Sequence, residues 1–373
     1  MAPFKAFIAS LGLVGFASGA ILPKINSYPG HNLALENRTL DEIYAAAKNE
    51  TGELVVLWGG DAVSQGDSTI AAWKSRFPDI KLNLTVDVSK YHDSRVNRQF
   101  QRDGTDGADI AVLQTLHDYG RWKREGRLLP YKPLNWEDVY SSVKDPEGAF
   151  LGVFIYQFGS FVYNKESLKA SDLPSTYDEL TNPFWKNKLV LTQPNDDDAI
   201  TYLFSTIIET YGWEWFEDLQ KQNVKWVRGT GEPANYVAET NTSRVLSFTT
   251  NLNGANNIAN QPVNDSRILW PQTAAIFAST PRPESSRLFL SWLLSDEHQQ
   301  TFGDSGSYLI RKDLKAKAGS VWDDPYTALT EFATFMENRD LVEWWRLQFE
   351  TSLGVAKGVS PVESFFGKMH AKK

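Results

Sequence analysis

The sequence predicts an α/β protein of two lobes joined by a hinge of two strands. Three observations carry that expectation. Apolar strand-like runs alternate with helical segments from Leu54 to Trp122, the pattern of a parallel sheet with helices on both faces. At 373 residues the chain is too long for one compact core and suits two. Finally, two long apolar runs, near Gly152–Tyr163 and Ile268–Phe277, leave one β-α pattern for another and return. Two such crossings make a natural axis for closure.

The elements follow in order. Leu40 to Lys48 reads as a helix, with Thr39 as N-cap and Asp41 and Glu42 in its first turn. Leu54 to Trp58, bounded by Gly52 and Gly59-Gly60, reads as a buried parallel strand. Loop and helix span Asp61 to Phe77, and Ile80 to Val88 alternates as a second strand. A helix runs through Val96 to Phe100, a third strand covers Asp109 to Leu113, and a helix continues through Trp122. Phe150 to Val162, broken by Gly152 and Gly159, reads as one or two strands. A second pattern then begins, with strands at Lys188–Leu191, Val224–Val227 and Arg244–Phe248. Helices are expected at Asp197–Tyr211, Pro233–Glu239 and, as a short one, Gly254–Ala259. Ile268–Phe277 is the return strand, and Pro283 opens an amphipathic helix with Leu288, Phe289, Trp292 and Leu293 at helical spacing. Pro325 to Phe349 is helical and is expected to pack back on the first lobe. The lobes are therefore read as 21–155 with 270–373, and 156–269.

Composition bounds the function. Apolar residues make up 42% and charged residues 23%, the balance of a folded globular chain. The net charge of −8, with no basic stripe, argues against a nucleic-acid partner. Residues 1–20 read as a secretory leader: Lys5, an apolar stretch from Ala6 to Ala17, then Ser18-Gly19-Ala20. There is no cysteine, hence no thiolate nucleophile and no thiolate metal site. Sequons stand at Asn37, Asn49, Asn83, Asn241 and Asn264, candidate glycan acceptors on a eukaryotic secretory route.

Few segments carry chemistry. Gly303-Asp304-Ser305-Gly306 resembles a serine-protease nucleophile segment, but no His lies in a setting suited to a base. No H-E-x-x-H exists to hold a metal. Asp196-Asp197-Asp198 is either a helix N-cap or a group that binds a cationic or hydroxyl-bearing ligand. Arg228-Gly229-Thr230-Gly231 is either a tight turn or a cradle for an anion. Five loops follow strands: Gly59–Ser64, Gln114–Leu116, Gln193–Asp198, Gly229–Glu232 and Thr249–Asn253. Ligands of open α/β sheets bind outside the carboxyl ends of strands, so these loops are expected to face one another across a cleft.

Several segments together resemble the type II periplasmic solute-binding proteins, in the ferric-iron and thiamine branch. They are Phe161-Val162-Tyr163-Asn164-Lys165-Glu166, Leu173 to Leu180, Asn182 to Lys188, Gly231 to Ala238, and Pro283 to Glu297. The resemblance covers about Leu54 to Leu314. It implies the periplasmic-binding-protein-like II fold, two Rossmann-like lobes on a two-strand hinge. It also implies a partner permease if the source is bacterial. The adjacent tyrosines that hold iron in that branch are absent; Thr249-Thr250-Asn251-Leu252-Asn253 stands nearby instead.

The chain is therefore read as a secreted monomer that captures a small polar organic or anionic ligand by hinge closure. It is expected to need no cofactor and to catalyse nothing. Asp61, Ala62, Ser64 and Thr115 are the candidate contacts of the first lobe. Asn195, Asp196, Thr230, Glu232, Thr250 and Asn251 are those of the second. Tyr156 and Trp270, at the crossings, are candidate walls. The alternatives are a secreted hydrolase using Asp196 and Glu232, and a metal binder using Asp and Glu oxygens.

Overall fold

A computed structural model describes residues 33–102, 107–304, 306–358 and 360–362. The expected leader lies outside the described residues. Helix α1 (Leu40–Ala47) starts as its sequence dictates. Thr39 Oγ1 accepts from the Glu42 N–H at 3.2 Å, and the Glu42 carboxylate accepts from the Thr39 N–H at 2.7 Å. This capping box satisfies two of the free donors at a helix start.

The first sheet is built on β1 (Leu54–Gly59). It pairs in parallel with β2 (Leu82–Asp87) on one side and β3 (Ile110–Leu113) on the other. Helices α2 (Asp67–Arg76), α3 (Ser89–Arg102) and α4 (Leu116–Arg124) follow these strands in turn. Strand β2 is the sheet edge, and its alternating exposure is that of a half-covered strand. The other side of β3 takes β11 (Arg267–Phe277), antiparallel and buried at every position. Beyond β11 lie β4 (Leu128–Leu129) and β5 (Leu151–Phe158), and β12 (Thr327–Ala328) pairs with its first residues.

The pairing of β5 with β11 makes the hinge. It runs from Leu151↔Ala274, in the first sheet, to Phe158↔Ile268, where both strands enter the second half of the molecule. There β6 (Phe161–Asn164) is flanked by β10 (Ile258–Gln261) and β9 (Leu246–Ser247), both antiparallel. A parallel bridge from Leu246 to Leu189 joins this sheet to the parallel pair β7 (Val190–Thr192) and β8 (Lys225–Val227). Gly159 turns the chain between β5 and β6 at φ +112°. A side chain there would meet the Tyr177 hydroxyl at 2.6 Å, so only glycine fits.

Each half has its own core. The first centres on Trp73, Phe77, Phe289 and Trp292, with α7 (Pro283–Leu293) supplying the last two and α8 (Asp296–Asp304) following it. The second centres on α5 (Asp198–Lys221), kinked at Gly212, with Phe204, Phe216, Phe248 and Trp270; α6 (Glu232–Ala238) covers the far side of its sheet. Tyr156 packs against both cores.

Two expectations need correction. Residues 254–259 do not form a helix: Ile258–Gln261 is strand β10, because pairing with β6 outweighs local preference. The C-terminal helices α9 (Glu331–Glu337) and α10 (Arg339–Leu353) were expected on the first lobe. Their Phe332, Phe335, Met336, Val342, Trp345 and Phe349 are buried in the second core instead. The aromatic face of α5 offers the larger apolar partner. Among the described residues no helix is long and apolar enough to cross a membrane.

Candidate functional site

The carboxyl ends of β1, β2 and β3 meet those of β7 and β8 across a nearly closed cleft. The space left between them is a cavity of about 40 Å³. Gly59, Gly60, Asp61, Gln65, Ser89 and Gln114 line it from the first half, Asp197 and Thr230 from the second. Tyr156, Phe158 and Trp270, on the hinge strands, form its aromatic wall. Their rings are in mutual contact, with centroids 5.4 Å apart for Tyr156–Trp270 and for Phe158–Trp270.

Hydrogen bonds close the cleft from both sides. The Asp61 carboxylate accepts from the backbone N–H and the hydroxyl of Thr230, the latter at 2.6 Å. Gln114 Nε2 donates to Asp197 Oδ2 at 3.3 Å, and Lys90 Nζ donates to the Asp196 carbonyl at 3.1 Å. Gln65 organises the first loop. Its Oε1 accepts from the N–H groups of Asp61 at 2.7 Å and Ala62 at 2.9 Å, while its Nε2 donates to the Tyr156 hydroxyl at 3.1 Å.

The cavity is acidic. Asp197 caps α5, accepting from Ala199 and Ile200 through Oδ1, and turns Oδ2 to the cleft. Burial, then the nearby Asp61 charge, pushes its carboxyl up to about 6. Burial also raises Asp61, although the two Thr230 bonds oppose the shift. Asp196 and Asp198, by contrast, are paired: Asp196 with Arg228 at 2.9 Å, Asp198 with Arg339 at 3.4 Å. Among the described residues Asp61 and Asp197 have no ion-pair partner within 4.0 Å.

The cavity gathers only some of the residues singled out in the sequence. Asp61, Tyr156, Thr230 and Trp270 line it. Ala62 lies at its rim, facing Gly231 across the cleft. Ser64 does not reach it: the 3₁₀ turn Val63–Gly66 leaves Ser64 exposed and points Gln65 inward. Thr115 sits one residue beyond Gln114, in a small adjoining recess. Asn195 faces away, toward the Gly354 carbonyl and Arg346. Asp196 is held by Arg228, and Glu232 is exposed at the start of α6. Thr250 is buried outside the cavity, and Asn251 lines a separate recess beside Tyr156. The carboxylate pair Asp196–Glu232 thus does not flank the cavity, so these two residues are not the pair that would act there. Gln65, Asp197 and Phe158 are among the lining residues that were not candidate contacts in the sequence. The signal for Asp197 was present in the acidic triplet, and that for Phe158 in its two-residue spacing from Tyr156.

Comparison with known proteins decides the family. The family model described as bacterial extracellular solute-binding protein matches residues 107–324. The chain belongs to that family. No curated protein matches it by sequence. Solved solute-binding proteins share its two-lobed fold at low identity. Iron-bound HitA from Pseudomonas aeruginosa is 16% identical with a TM-score of 0.59, over 82% of this chain and 100% of that one. The substrate-binding protein of an ABC transporter from Agrobacterium tumefaciens is 13% identical with a TM-score of 0.66, over 82% and 96%. AfuA from Actinobacillus pleuropneumoniae, with fructose-6-phosphate bound, is 18% identical with a TM-score of 0.58, over 80% and 99%. In this solute-binding protein no group of three or more His, Asp or Glu among the described residues is placed to hold a metal ion.

Proposed function

We propose that this solute-binding protein captures a small polar organic molecule carrying a positive charge, such as an amine or a heteroaromatic cation. One observation carries the reading: among the described residues Asp61 and Asp197 face the cavity without ion-pair partners, beside three aromatic rings. A cation between two desolvated carboxylates recovers the charge interaction each has lost. A ring face adds about 0.5–2 kcal/mol. The Thr230 N–H, the donor an anion would use, is occupied by Asp61.

The lobes meet on the β5–β11 hinge, and we assign 156–269 to the second lobe with the C-terminal helices beside it. Binding proceeds by closure, with no chemistry on the solute. The test is a thermal-shift screen against amines, vitamins, amino acids, sugars and phosphate esters, confirmed by calorimetry. Cations should raise the melting temperature and their neutral analogues should not. Binding of phosphate esters, with none by cations, would overturn the reading.

The secretory leader and N-glycosylation belong to the same proposal. The family is extracellular by description, and Asn37, Asn49, Asn83, Asn241 and Asn264 are all exposed. Expression through a yeast secretory pathway should give a product whose mass drops on endoglycosidase treatment. An unchanged mass would count against it. A bacterial source would instead call for a permease partner.

A further inference from the structure

Gln65 and Tyr156 line two spaces. One is the acidic cavity, the other the recess in which Asn251 lies, so the 3.1 Å bond between their side chains is a partition. The two spaces differ in size. At about 40 Å³ the acidic cavity holds a few waters or one ammonium group. The recess holds about 410 Å³, within the range of pockets that take organic ligands. They differ in lining too. Among the described residues no charged side chain lines the recess. Aromatic rings do: Trp58 near the end of β1, Phe154 on β5 and Phe302 on α8. Trp58 stacks on Phe154 with centroids 5.4 Å apart and planes at 22°, and Phe302 stacks on Phe154 at 5.3 Å and 19°. Tyr156 meets Phe154 edge-on at 5.2 Å. Trp58 and Phe154 belong to the first core and Phe302 packs against it. Rings fixed in this way do not fold into the space beside them.

We propose that this recess is a binding chamber for a flat, neutral aromatic or heteroaromatic ring system, the body of the solute whose charged end lies between Asp61 and Asp197. The place of the charged end rests on the cation reading above; the ring in the chamber does not. An organic cation larger than ammonium exceeds the acidic cavity, so the rest of it needs a second space in contact with the first. The chamber is that space. Aromatic rings attract a further flat ring beyond the gain from burying its area. The amide of Gln65 and the hydroxyl of Tyr156 each hold donor and acceptor atoms, so a solute that parts their bond can satisfy both. Thr69 on the side of the first half and Asn260 on the side of the second add polar groups for the heteroatoms of a ring.

Three probes separate the parts of such a solute: indole for the body, butylamine for the charged end, and tryptamine for both. Saturation-transfer NMR follows indole, and calorimetry follows the amines. Indole should give a signal, and tryptamine should bind at least about tenfold more tightly than butylamine. Ser68→Trp and Leu252→Trp fill the chamber from opposite halves, and both positions are exposed, so neither change enters a core. Each variant should remove the indole signal and bring tryptamine to within about threefold of butylamine. Equal binding of the two amines to the unaltered protein, with no indole signal, would overturn the chamber and leave the cation reading standing. Indole bound and then lost in both variants, with neither amine bound, would keep the chamber and overturn the cation reading. Indole binding that survives both substitutions would place the ring elsewhere and overturn the chamber, and no binding by any probe would overturn both.

Discussion

Asp197 carries two demands that pull in opposite directions. As the cap of α5 it needs only an acceptor oxygen, which asparagine supplies about as well. As a charge in the cavity it is destabilising when no cation is present, because the cleft walls strip its water. Its folded pKa of about 6 lies above the ordinary value near 4, so between these pH values the folded state holds more protons than the unfolded chain. Stability from this group is therefore lost as pH rises through the window. Asp197→Asn is free of that loss. Its melting temperature should exceed that of the unaltered protein at pH 7.5, with the gap about halved at pH 5 and closed below about pH 4, each pKa unit being about 1.4 kcal/mol. The comparison between variants matters because His92, His117 and His298 act the other way. Burial lowers each of them to about 4, so the folded state gains protons later than the unfolded chain as pH falls from 6.5. They destabilise both proteins alike on acidification. The same substitution should weaken binding of a cationic solute at least tenfold, read by calorimetry. A gap that stays constant with pH would show that Asp197 is ionised throughout and that the cavity is less acidic than its lining implies.

The C-terminal helices show what packing adds to local signal at the scale of elements. Helix α10 buries Val342, Trp345 and Phe349 against α5, while Trp344 on its other face is 48% exposed. Phe349→Ala should therefore cost about 3–5 kcal/mol in denaturant unfolding, and Trp344→Ala less than about 0.5 kcal/mol. Equal costs would mean that α10 is not part of the second core. The helical period of this segment was readable from its residues; the surface that receives it was not, because no local pattern says which apolar face is left uncovered. The same limit explains the misplaced helix at 254–259. Its residues carry weak preferences, and the partner that makes Ile258–Gln261 a strand lies about a hundred residues away in β6. The β1-α2-β2-α3-β3-α4 succession was legible because β1 and β3 are bounded apolar runs and β2 alternates with a period of two. The converging loops followed from where those strands end. Which residue of a loop points inward did not follow: a 3₁₀ turn rotates the choice from Ser64 to Gln65, and only the placed backbone reveals that.

At the scale of the whole molecule, the two cores are tied by one antiparallel ladder, and the halves also meet across the cleft and where α4 packs against α9. The closed cleft is held by Asp61–Thr230, Gln114–Asp197 and Lys90–Asp196. That arrangement can be fixed chemically. A Cβ built on Gly231 lies 3.8 Å from the Ala62 Cβ, within the range of about 3.5–4.5 Å that a disulfide spans. Gly231 has φ −78°, a conformation any residue adopts, and the chain contains no cysteine to compete. Ala62→Cys with Gly231→Cys should oxidise in air to an intramolecular disulfide across the cleft. Thiol titration should fall to zero, and the melting temperature should rise. A loop this long gives roughly 5 kcal/mol as the entropic upper bound. Hydrogen–deuterium exchange at Gly229–Gly231 should slow, and a solute added after oxidation should no longer enter until the bond is reduced. Thiols that stay free would mean that Ala62 and Gly231 do not meet in solution, and the resting state would then be open. A disulfide that forms while solute still enters freely would place the entry path away from this rim, on the side where Asn251 and Leu252 lie.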